Sequence, residues 1–165
     1  MLLLLAVVTA VSNSTLSQFG VVGLSTRDGL IFPRYKFRRS DAPSSIQQPS
    51  GLKIYRLASA DGTLLNEETY PRSKFGGLFG YHLIEEIDRE VILTSNEIDA
   101  LCVYQETRRP VLALPKATAD LQQEAIAYLE QFDRIIIWFP NDKTSWDRAK
   151  RFALKLGQSR CYFVR

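Results

Sequence analysis

From residue 90 to the end of the chain, short runs of isoleucine, valine and leucine alternate with stretches of helical spacing, and few folds accommodate that order. The apolar runs fall at 91–94, 111–114, 134–139 and 161–164; the helical stretches fall at 97–106, 120–131 and 145–156. A strand with one wet face alternates apolar and polar residues, whereas a continuous apolar run needs cover on both faces. Strand runs of this kind separated by helices predict a mainly parallel α/β sheet flanked by helices.

The first strand-to-helix turn is the sharpest of these junctions. Thr94, Ser95 and Asn96 are all competent N-caps, and Glu97 and Asp99 place negative charge in the first turn, where the helix dipole favours it. Ile98, Leu101 and Cys102 then repeat at the spacing of one helix face packed on the strand. In open α/β sheets the carboxyl ends of the strands are where ligands bind, so this turn is the first place to look for chemistry. At the last helix, Thr144-Ser145-Trp146-Asp147 gives a capping-box-like start, and Gly157 supplies the stop.

The first half reads differently. Residues 20–24 and 29–39 are short strands joined at Asp28-Gly29, residues 53–57 and 64–70 form a second pair about Asp61-Gly62, and 40–50 is a loop. A small β-rich subdomain over 20–84 therefore precedes the α/β domain over 85–165. In Arg34-Tyr35-Lys36-Phe37-Arg38 the period of two puts three cations on one face and two aromatics on the other. Arg39, Lys53 and Arg56 are neighbours of that face. Residues 27–74 carry 9 Lys/Arg against 5 Asp/Glu, while the remainder carries 12 against 13, so the positive excess points to an anionic partner in the first half. Lys150, Arg151 and Lys155 on the last helix form the competing basic surface. Between the subdomains, residues 74–83 are rich in glycine and aromatics and read as a packing hinge.

Several classes of function drop out. His82 is the single histidine, which excludes a histidine-built metal cluster, and no nucleophile-elbow motif accompanies it. Cys102 and Cys161 sit apart in apolar segments and read as free thiols. No Gly-Lys-Ser/Thr closes a Walker A loop. Residues 1–11 are an apolar run of leader length, too short to cross a bilayer as a helix. Residues 1–19 thus read as a leader or non-native N-terminus without caps that tie it to the sheet, and deletion of 1–17 is expected to leave a folded domain.

Residues 91–101, Val-Ile-Leu-Thr-Ser-Asn-Glu-Ile-Asp-Ala-Leu, resemble the first motif of TOPRIM domains, a strand followed by Glu-Gly, two residues and Asp-Ala-Leu. Residues 135–142, Ile-Ile-Ile-Trp-Phe-Pro-Asn-Asp, are similar to the second, a strand ending in Asp-x-Asp. The wording at 89–95, 112–115 and 128–132 resembles the primase-like region of the Twinkle family, animal mitochondrial replicative DNA helicases related to phage-type primase-helicases. The resemblance implies catalytic carboxylates that hold Mg²⁺, but Ser95 and Pro140 stand at two of those positions, leaving Glu97, Asp99 and Asp142 as residual acids. What it implies is a non-catalytic, nucleic-acid-binding module without a cofactor, located in the mitochondrial matrix, whereas the apolar N-terminus taken alone favours the secretory route. Its partners would be single- or double-stranded DNA and a neighbouring helicase domain or subunits in a ring, with no membrane. The alternative is a divergent Mg²⁺-dependent primase or nuclease that works with Glu97, Asp99 and Asp142.

Overall fold

A computed structural model describes residues 10–24, 29–36, 48–57, 64–115 and 121–164. Two four-stranded sheets carry the fold. The first is antiparallel, in the order β1 (Val22–Gly23), β2 (Gly29–Arg34), β3 (Gly51–Leu57) and β4 (Leu64–Tyr70). Its register pairs Val22 with Ile31, Ile31 with Ile54, and Ile54 with Glu68. The turns expected at Asp28-Gly29 and Asp61-Gly62, and most of the loop expected at 40–50, lie outside the described residues. Along β3 the alternation is strict, with Gly51, Lys53 and Tyr55 buried and Leu52, Ile54 and Arg56 half-buried. A lysine thus occupies an inward position, which the strand period allows but a lysine tolerates only with a partner.

The second sheet is parallel throughout, in the order β6 (Val111–Ala113), β5 (Glu90–Thr94), β7 (Arg134–Trp138) and β8 (Cys161–Phe163). Both faces are covered, as the continuous apolar runs required. Ile92, Val111 and Ile136 face the helix at Glu97–Thr107, α2, while Val91, Leu93, Ile135 and Ile137 face the helices at Gln123–Leu129, α3, and Lys143–Leu156, α4. The α3 helix is shorter than the 120–131 the sequence pattern suggests. The α4 helix begins two residues earlier than expected because Asp142, not Thr144, caps it: its Oδ1 accepts from the Ser145 amide at 2.9 Å. Two competent caps two residues apart cannot be ranked by pattern alone. Gly157 ends the helix at φ +97°, and both cysteines are free thiols, Cys161 buried and Cys102 half-buried.

The glycine- and aromatic-rich segment joins the sheets through adjacent residues. Leu78 bridges to Tyr35 on the antiparallel side, and Phe79 bridges to Ala113 on β6. Leu78 and Phe79 are both fully buried. The approach is close enough that a side chain at Gly77, whose φ is +94°, would strike the Tyr35 carbonyl. The expected packing role of this segment is carried by these two bridges.

Residues 13–18 form a short helix, α1 (Asn13–Gln18), capped by Ser12, whose hydroxyl accepts from the Thr15 amide at 3.2 Å. This departs from the expectation that nothing ties the N-terminal stretch to the sheet. Val11 and Phe19 are buried, the Ser12 amide donates to Gln105 Oε1 on α2, and Gln105 Nε2 donates back to the Ala10 carbonyl. Residues 10–19 are thus packed against α2, while residues 1–9 of the apolar run lie outside the described residues. Among the described residues, no helix is long and apolar enough to cross a membrane.

His82, in the single turn at Tyr81–Leu83, packs beside this junction. Its ring centroid lies 4.0 Å from that of Tyr35 and its Nε2 lies 3.0 Å from the Gln18 carbonyl oxygen. A carbonyl only accepts, so Nε2 carries the proton. Burial holds the imidazole below the usual histidine range, against the opposing pull of that carbonyl. Between the depressed folded value and the unfolded value of about 6.5, the unfolded chain binds the proton more tightly, so stability falls as pH drops through that window. The thermal midpoint is expected to decline on acidification below about 6.5, and the decline should be shallower in His82→Gln.

Candidate functional site

The turn between β5 and α2 is built as its sequence suggested, with Asn96 selected as the cap. Asn96 Oδ1 accepts from the Asp99 amide at 2.8 Å, its Nδ2 donates to Asp99 Oδ2 at 2.7 Å, and the Thr94 hydroxyl donates to the Asn96 carbonyl. Replacing Asn96 with alanine removes the cap and the brace on Asp99 together, an expected loss of about 0.5–2 kcal/mol measurable by urea denaturation.

Glu97, the next residue, is wholly buried, and its surroundings come from the other sheet. Oε2 accepts from Lys53 Nζ at 3.0 Å and from the Tyr55 hydroxyl at 2.9 Å, both on β3. Lys53 Nζ also reaches Glu67 Oε2 on β4 at 3.2 Å. Arg34 is buried at the end of β2, donates from Nη2 to the Tyr70 carbonyl at 2.7 Å, and feels the Glu97 charge. Burial pushes the Glu97 carboxyl above the usual carboxylate range, with the Lys53 ammonium and the Tyr55 hydroxyl pulling it back. Burial beside Glu97 and Glu67 drives the Tyr55 phenol far above its ordinary range. The cluster is therefore a closed ion pair between the two sheets, with Glu97 Oε1 and Arg34 Nε left without hydrogen-bond partners.

The remaining acids are also engaged. Asp99 is held by Asn96, and Asp142 caps α4, where its bonds to Ser145 hold the carboxyl below the usual range. Ser95 is buried and Pro140 exposed, and neither offers a carboxylate. Among the described residues no three histidine, cysteine, aspartate or glutamate side chains gather as a metal site would need. A hard dication needs several oxygen ligands, and here an ammonium already sits on the buried one. The residues present do not fit Mg²⁺.

Two of the cations expected to share a surface are buried. Arg34 and Lys53 are turned inward to the Tyr70 carbonyl and to Glu97, so neither can meet a phosphate in this structure. Lys36 is exposed; Arg56 is half-buried and paired with Glu68 at 2.7 Å; Arg38 and Arg39 lie outside the described residues. Of the three cations expected on one strand face, Arg34 is withdrawn from it because its guanidinium serves as an internal donor to the Tyr70 carbonyl. By contrast, residues 143–160 hold six Lys/Arg against the single acid Asp147, and Lys143, Lys150, Arg151 and Lys155 are exposed on α4.

A cleft of about 880 Å³ opens beside His82 and Arg108, but Glu85, Glu86 and Asp88 line it and disfavour a phosphate backbone there.

No family model matches the chain. Solved structures do. The chain is similar to the primase fragment of the bacteriophage T7 primase-helicase protein at 21% identity and a TM-score of 0.71, covering 95% of this chain and 63% of that one. It is also similar to the Aquifex aeolicus primase, zinc-binding and RNA polymerase domains, at 17% identity and 0.69, covering 96% and 48%. A DNA primase domain from Pseudomonas aeruginosa matches at 15% and 0.58, covering 96% and 54%. The chain has the primase fold, and it spans less than two thirds of the length of each of these.

Proposed function

We propose that this chain is the primase-like, nucleic-acid-binding portion of a Twinkle-type mitochondrial replicative DNA helicase, and that it makes no primers. The observation that carries the loss of priming is the set of side chains at the turn: Ser95 and Pro140 offer no carboxylate, and the neighbouring Glu97 is already paired with Lys53. The order of sequence motifs supports the helicase assignment. A related T7 structure, described as primase domains of two subunits bound to an RNA/DNA hybrid with a lagging-strand polymerase, supports nucleic acid and neighbouring subunits as partners. In this reading the module works in the mitochondrial matrix, needs no cofactor of its own, and grips DNA beside a helicase domain in a ring. In the first half of the chain, Lys36 and Arg56, toward opposite ends of the β2–β3 pair, are the described candidates for contacts in that grip.

The test is template-dependent ribonucleotide incorporation by the purified chain with Mg²⁺ or Mn²⁺, beside calorimetric titration of Mg²⁺. Neither incorporation nor saturable heat is expected. Incorporation that disappears in Asp142→Ala would establish the divergent enzyme in place of the binding module.

A further inference from the structure

The exposed cations of α4 do not stand alone. Trp146, on the first turn of the helix, packs against Phe163 on β8 at 5.2 Å between centroids, and Lys150 Nζ lies 5.8 Å from the Trp146 ring. Phe163 sits on an edge strand and keeps 38% of its surface exposed, unusual for a phenylalanine with a helix above its sheet. Lys143, Lys150, Arg151 and Lys155 recur at helical spacing along the outward face, with one acid, Asp147, among them at 3.9 Å from Lys150. Leu154 shares that face and is 65% exposed. Ordinary solvated helix faces mix charges of both signs, as the i to i+4 rule favours; this one is a cationic row ending at an aromatic pair. That combination matches single-stranded nucleic acid, whose phosphates track cations and whose bases stack on rings whatever their sequence. A duplex buries its base faces and would leave the rings unused.

From this arrangement we infer that the outward face of α4, with Trp146 and Phe163, is a sequence-tolerant platform for single-stranded nucleic acid. The inference rests on the proposed nucleic-acid-binding role and moves its principal contact from the first half of the chain to the last helix. The chain holds two tryptophans, Trp138 and Trp146, so Trp138→Phe leaves Trp146 as the sole indole reporter.

The probe is a fluorescein-labelled oligothymidylate, titrated over a salt series by anisotropy and, with unlabelled oligomer, by indole emission. Binding is expected to quench Trp146. Phe163→Ala should weaken it about tenfold through one lost stack, and Lys150→Glu with Arg151→Glu should flatten the salt slope by about 1.4 for two lost phosphate contacts. A duplex of the same length should bind more weakly and quench less. If the α4 variant binds unchanged and Trp146 is silent while Lys36→Glu with Arg56→Glu abolishes binding, the platform is wrong and the nucleic-acid-binding role stands. If neither DNA nor RNA oligomers bind, that role fails with it.

Discussion

Lys53→Met is expected to destabilise the protein by about 3–5 kcal/mol, because it leaves Glu97 as a buried carboxylate without its charge partner. Glu97 accepts one remaining hydrogen bond from Tyr55, and its other oxygen has none. The reciprocal change should cost less. In Glu97→Gln the ammonium keeps Glu67, whose side chain is 45% exposed and gives Lys53 a route toward water. The double variant Lys53→Met with Glu97→Leu should recover most of the loss, since a well-packed apolar pair often matches a buried ion pair. Urea midpoints of the three variants, with unchanged slopes, check the ordering. If Glu97→Gln proves the costlier single change, Glu67 is not the second partner the geometry makes it.

Phe19→Ala should cost a similar amount, about 3–5 kcal/mol. Phe19 is fully buried, with ring centroids 5.1 Å from Phe79 and 4.9 Å from Tyr104, and so links the N-terminal helix to the inter-sheet segment and to α2. Deletion of residues 1–17 should likewise lower the thermal midpoint, because it removes buried Val11, worth about 1.5–3 kcal/mol of burial, together with the Ser12 cap. A deletion variant as stable as the full chain would restore the view of this stretch as a dispensable leader.

The parallel half was legible because each strand there is defined by its own composition: runs such as Ile135-Ile136-Ile137 need no partner to be recognised as buried on both faces. Helix starts were legible to within three residues, the error at α4 arising from Asp142 and Thr144 being equally good caps. The site was less so. Alternation along β3 could show that Lys53 and Tyr55 share a face, yet the carboxylate they meet lies 44 residues from Lys53 in sequence, and no local pattern records such a pairing. The alternation even misleads, since Leu52 and Ile54 mark the other face of β3 as the apolar one while Lys53 and Tyr55 are the residues that turn inward. The α4 surface was legible in part: Lys150, Arg151 and Lys155 stand out along the helix, but Phe163, which packs on Trp146, comes from the following strand.

The two bridges made by Leu78 and Phe79 bear on how this domain would behave under load. Consecutive peptide units are fastened to different sheets, so there is no free linker between those attachments in which a bending motion could be absorbed. Together with the ion pair across the same boundary, this fastens the two sheets to each other at neighbouring points. Separating the halves would break both bridges and the Lys53–Glu97 pair together.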